Sequence, residues 1–202
     1  MKKAVGLKPE NDSAHNNLGL SYFEKEEYED ALNEFTKAIG LKPHGLHYNN
    51  RGLALYHIGN LQDAKKDFDA ALEKTSDDPF IYYNRGNVYM NLGEFGKAHA
   101  DFDRGNKLDL MQPKFWHAKG LAFEAESMLD PKNIRQDLQE KALEMFQKAI
   151  EVADNFMGSR FHLGLMYHRL ARFDKALICF SQVLDKMPTK DKTVFIARGL
   201  VY

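Results

Sequence analysis

Asn17-Leu18-Gly19, then Tyr22, then Ala31, Phe35, Ala38 and Pro43, is a spacing that the chain repeats. Gly52 is followed by Ala64 and Phe68, Gly86 by Ala98 and Phe102, and Gly164 by Ala176 and Phe180, each pair 12 and 16 residues on. Gly120 reaches Ala142 and Phe146 only after ten extra residues. With Gly199, the six glycines stand 33, 34, 34, 44 and 35 residues apart. A period near 34 is one supersecondary unit copied along the chain, and such units bury their apolar faces by stacking on their neighbours. The sequence therefore describes a stack, whose product is a surface.

Each unit holds two amphipathic runs at helical spacing, as in 13–25 and 28–41. A glycine inside the first helix costs about 1 kcal/mol against alanine, so its recurrence needs a packing reason. The expected reason is close approach of the second helix, with Ala31 and Ala38 giving way and Tyr22 and Phe35 filling the space beside them. Gly59-Asn60 and Leu92-Gly93 mark turns within pairs, while Pro43, Pro79, Pro113 and Pro188 mark breaks between them. Arg51, Arg85, Lys119 and Arg198 stand just before a glycine. Their stems are expected to pack while their charged heads reach water.

These residues resemble the tetratricopeptide repeat family, whose pattern is a large residue, Leu-Gly, Tyr, then Ala, Phe or Tyr, Ala and Pro. Tyr82, Gly86, Tyr89, Ala98 and Phe102 carry it in the third unit, with Gly105 at the second alanine. Trp116, Gly120, Phe123, Ala142, Phe146 and Ala149 carry it in the fourth, and Gly164, Tyr167, Ala176, Phe180 and Pro188 in the fifth. The resemblance covers nearly the whole chain and implies an all-α, right-handed α-solenoid of stacked helix–turn–helix repeats. The expected division is the end of a preceding repeat over 1–11, repeats over 12–44, 45–78, 79–112, 113–156 and 157–191, and a first helix over 192–202. Residues 4–9 match 38–43, and the apolar 193–202 would have no second helix, so the expectation is a segment of a longer array. The ten-residue insertion falls near 127–138, where Asp130-Pro131 reads as a helix start. It is expected to lengthen both helices of repeat four, as a docking knob or as a tolerated loop extension.

Composition sets further bounds. The 202 residues are 44% hydrophobic and 28% charged, with a net charge of −1, which is ordinary for a soluble protein. Residues 1–101 carry −4 and residues 102–202 carry +3, too mild an asymmetry for a nucleic-acid or anionic-membrane surface. No apolar run approaches the roughly 20 residues of a membrane span. Cys179 is the single cysteine, so no disulfide framework exists and a reducing, cytoplasmic setting is expected; a cilium enters by family analogy alone. The eight histidines include no Cys or carboxylate partners at zinc-ligand spacing. No phosphate loop or nucleophile elbow is present. No catalytic residue, metal or cofactor is expected.

In the family, first helices line a concave groove, which places the residues flanking each glycine there. Asparagine offers both a donor and an acceptor, so Asn17, Asn50, Asn84, Asn87 and Asn91 form a ladder suited to the backbone of an extended peptide. Tyr56, Tyr83 and Phe161, with His117 and His162, would line the same face and hold side chains. The family's two-carboxylate clamp wants Lys three before a glycine, where this chain has Asn16, Asn49, Tyr83, His117 and Phe161. A chaperone-tail clamp is therefore not expected, and RNA binding lacks a basic groove. Two readings remain. One is a peptide-binding adaptor or scaffold module in a larger multiprotein assembly; the other is an architectural spacer that docks through its edges, open end and repeat-four projection.

Overall fold

Asn11 starts the first helix by accepting the amide N–H of Ala14 at 2.9 Å, leaving fewer orphan donors in the first turn of α1 (Asp12–Phe23). Asp78 does the same for Phe80 at 2.8 Å, and Pro79 follows it as the first residue of α5 (Pro79–Asn91), where a missing N–H costs nothing. Between them lie α2 (Tyr28–Leu41), α3 (Gly45–His57) and α4 (Leu61–Lys74), and after them α6 (Phe95–Leu108). Then come α7 (Pro113–Ser127), α8 (Gln136–Val152), α9 (Met157–Arg169) and α10 (Phe173–Lys186). This computed structural model describes residues 10–130 and 135–186. The expectations for residues 1–9, for 131–134 of the insertion and for 192–202 lie outside the described residues. Among the described residues all regular structure is helical, and the chain is an all-α stack of helix–turn–helix pairs.

The chain divides into two compact units, Met1–Leu108 and Asp109–Tyr202. In the first, α1 packs on α2, α3 on α4 and α5 on α6, while α2 and α4 also contact the pair that follows. The first helices α1, α3 and α5 touch in sequence. In the second, α7 packs on α8, α8 on α9 and α9 on α10. The α7–α8 pair is 15 and 17 residues long, against 12 to 14 for every other described helix.

The glycine period has a direct cause. A Cβ on Gly19, Gly52, Gly86, Gly120 or Gly164 would lie 2.6–2.9 Å from a ring carbon of Phe35, Phe68, Phe102, Phe146 or Phe180 respectively. All five rings are fully buried. Each phenylalanine thus lies flat on bare backbone and contributes about 2–3 kcal/mol by burial. Turns within pairs use a left-handed residue at one fixed place: Gly59 and Gly93 at φ 83° and 75°, and Glu26 and Ala171 at 63° and 54°. Glycine takes that conformation without strain, and the other two do not.

The preglycine arginines depart from expectation. Arg51 does not send its head to water; its Nε and Nη2 donate to Asp67 at 2.7 and 2.8 Å. Arg85 grips Asp101 in the same way at 2.8 and 2.7 Å and adds Asp69 at 2.7 Å. Asp67 and Asp101 are buried, and a buried carboxylate is tolerated only with such a partner. Burial alone would depress the Arg85 pKa, but its bonds to Asp101 outweigh that and raise it.

Candidate functional site

In the first unit the first helices α1, α3 and α5 are tied by a repeated bond. Asn50 donates its amide to Asn16 Oδ1 at 2.9 Å, and Asn84 donates to Asn49 Oδ1 at 2.9 Å. The same interaction therefore recurs at both junctions. Asn50 is buried, so its place is inside the stack rather than on an open face. Two turns beyond Asn84, Asn91 donates to the Tyr56 hydroxyl at 2.8 Å and to the Asn87 carbonyl at 2.9 Å. Tyr83 is half-buried against Phe102, with ring centroids 6.1 Å apart.

Two asparagine side chains have no partner among the described residues. Asn17 is exposed and Asn87 half-buried, and neither side chain bonds a described residue. At the loop end of this face four rings meet. His57 stacks on Tyr28 at 5.0 Å and meets Phe23 and Tyr56 edge-on at 5.2 and 5.8 Å. The ladder read from sequence thus separates into register bonds (Asn16–Asn50, Asn49–Asn84, Tyr56–Asn91) and free amides at Asn17 and Asn87.

In the second unit His117 and His162 meet edge-on at 5.4 Å. His117 Nδ1 lies 2.9 Å from Ser159 Oγ. Burial pushes the His117 pKa down to about 4, helped by His162 and opposed by Glu124. His162 Nδ1 is 3.3 Å from Glu124, which also accepts from Arg169 at 2.5 Å. Burial would raise the Glu124 pKa, but His162 and Arg169 outweigh it and hold the carboxyl below its ordinary value. Phe161 packs against both Phe180 and His162 at 5.9 Å. These rings pack around a buried Glu124 that is held by His162 and by the exposed Arg169. Among the described residues no group of three or more His, Cys, Asp and Glu is placed to hold a metal ion. Among the described residues no helix is long and apolar enough to cross a membrane.

Ser159 and Arg169 were missed by sequence reasoning, since their partners lie 42 and 45 residues away across the insertion. Asp67 and Asp101 were missed as well; the one signal for them is that each stands 16 residues after an arginine at the place of the family's leucine.

Family models described as tetratricopeptide repeat match residues 2–45 and 16–79, 79–109, and 158–185. The chain is 25% identical over 189 residues to the DnaJ homolog subfamily C member 7 of Mus musculus, covering 90% of this chain and 37% of that protein. The chain thus spans little more than a third of that relative's length. Among solved structures, MamA residues 41 to the end from Desulfovibrio magneticus RS-1 superposes with a TM-score of 0.72 at 20% identity, covering 89% of this chain and 97% of that one. YrrB, described as a TPR protein with an unusual peptide-binding site, superposes with a TM-score of 0.66 at 20% identity, covering 98% and 97%.

Proposed function

The chain belongs to the tetratricopeptide repeat family, a protein-interaction fold, and we propose that the inner face of its first unit binds an extended peptide segment of a partner protein. The observation that carries this reading is the half-buried Asn87, whose side-chain amide has no partner among the described residues on a surface where Asn50, Asn84 and Asn91 are locked; Asn17 joins it by its place at the same repeat position as Asn50 and Asn84. A free amide can donate to one peptide group and accept from another without selecting a side chain. Tyr83 and Tyr56 offer half-buried aromatic flanks for the peptide's side chains, with Asn84 and Asn91 holding those flanks in register. Asn50 acts from within the stack. His117, Phe161 and His162 extend the proposal to the second unit, where rigid rings would meet apolar side chains.

Locking matters energetically. A surface ordered before binding leaves the ordering cost to the peptide alone, so modest contacts suffice for useful affinity. YrrB offers a fold-level parallel for peptide binding. The test is selection of a displayed random-peptide library on the protein, followed by affinity measurement on Tyr83→Ala and Asn87→Ala variants that melt normally. Both variants should weaken the selected peptides. Unchanged affinity in both sinks the groove reading.

A second reading, the architectural spacer, is favoured by Met128 and Leu129, which stand 41% and 68% exposed just past α7. If crosslinks to a partner in an assembly gather there and leave the inner face untouched, the spacer reading replaces the first.

A further inference from the structure

Within each unit one groove opens between consecutive helix pairs, and the two have equivalent walls with opposite chemistry. The groove between α2 and α4 encloses about 390 Å³, and the one between α8 and α10 about 470 Å³. On α9 the latter uses Arg160, Leu163 and Tyr167, which lie on the opposite side of the helix from Phe161, Leu165 and His168.

Residues align one for one. Arg51 corresponds to Leu163, Asp67 to Cys179, Lys66 to Ile178 and Asp63 to Lys175. In the first unit these four charges neutralise one another, Arg51 with Asp67 at 2.7 Å and Lys66 with Asp63 at 2.8 Å. That groove is saturated. In the second unit the floor is apolar: Leu163 and Cys179 are buried, and Ile178 on its rim is 58% exposed. Lys175 lies over the Tyr167 ring at 5.5 Å and pairs with no carboxylate among the described residues. At the far end Arg160, 8% exposed, bonds Gln182 and Asp154 through its terminal nitrogens, while its buried Nε has no acceptor. An unpaired buried N–H is costly, and an occupant that brings an acceptor relieves the cost.

We infer that the groove between α8 and α10 is a second docking site, independent of the inner face, for a partner segment that places a large aliphatic side chain beside an acidic residue. The side chain covers Leu163, Cys179 and Ile178. The carboxylate meets Lys175, and a backbone carbonyl meets the Arg160 end. The two ends are about 10 Å apart along α10, the reach of an extended tripeptide. Glu151 on the α8 wall disfavours a second acid at the Arg160 end.

The chain supplies its own test substitution. Leu163→Arg with Cys179→Asp transplants the Arg51–Asp67 pair, which the equivalent position already accommodates. The probe is a fluorescent peptide with one Leu-Asp pair in a Gly/Ser background, with companions carrying Ser for Leu or Lys for Asp. Binding is read by polarisation, and occupancy by alkylation of Cys179, the chain's single thiol. The Leu-Asp peptide should bind about tenfold more tightly than either companion, a figure consistent with burying one aliphatic side chain or forming one partly buried ion pair. At saturation it should slow native alkylation. The transplant should abolish both the binding and the preference without lowering the melting temperature of the protein. Ile178→Lys, at an exposed site, should weaken binding too, and decides the matter if the transplant misfolds. Equal binding of all three peptides, or unaltered binding in Ile178→Lys, overturns the proposal.

Discussion

Gly86→Ala adds one carbon and tests why the glycines recur. Its Cβ would lie 2.6 Å from Cε1 of Phe102, 2.9 Å from Cδ1 and 3.1 Å from Cζ. Carbon atoms prefer about 3.5–4.0 Å, so the ring must retreat by roughly 1 Å. Phe102 is fully buried and has no open side to move toward. Overpacking of this kind costs about 1–3 kcal/mol, while the alanine returns about 1 kcal/mol of helix propensity. The net expectation is a loss of up to about 2 kcal/mol. Gly40, also helical, has no atom within 4 Å of its notional Cβ. Gly40→Ala should therefore keep its propensity gain of up to about 1 kcal/mol. Urea unfolding followed by helical circular dichroism should show the two midpoints moving in opposite directions at unchanged slope. Phe102→Leu should soften the penalty of Gly86→Ala. If Gly86→Ala raises the midpoint as Gly40→Ala does, the glycines are not there for ring contact and the packing argument fails.

Arg85→Leu strands the buried Asp101 and should cost about 2–4 kcal/mol, whereas adding Asp101→Leu should recover much of it, as a double-mutant cycle in urea would show. The His117 pKa is depressed to about 4, so its contribution is present above the unfolded value near 6.5 and is lost as pH falls toward 4. That loss is at most about 3 kcal/mol, and His117→Gln should flatten the decline in stability over this window. Glu124, also depressed, adds a loss only below the ordinary carboxylate range, about 4.3, so Glu124→Gln should change the profile there and not above pH 6. Burial raises the Cys179 pKa, so a disulfide reagent should react slowly with the native protein and promptly in guanidinium.

The stack was legible because its causes are local and periodic. Gly19 with Phe35, and each later pair, obeys one contact rule at one spacing, interrupted only where the chain inserts residues between α7 and α8. The candidate site was harder to read. Spacing to the glycines placed Asn50 and Asn17 on one ladder, yet one is buried in an inter-repeat bond and the other is open. Both stand two residues before their glycine, so they share one helix face, and what separates them is that Asn50 has Asn16 of the preceding first helix to donate to. Arg51 and Arg85 looked like surface cations because hydropathy says nothing of a partner 16 residues on. The Glu124–Arg169–His162 cluster joins positions brought together by α7 and α9, and no short motif encodes it.

The most direct test of peptide recognition is a titration of a library-selected peptide into protein labelled with nitrogen-15 at asparagine. The side-chain amide signals of Asn17 and Asn87 should shift together at saturation, while those of Asn16 and Asn50, held in their mutual bond, stay close to their free positions. Shifts absent from Asn17 and Asn87 would place the peptide elsewhere and contradict the inner-face site.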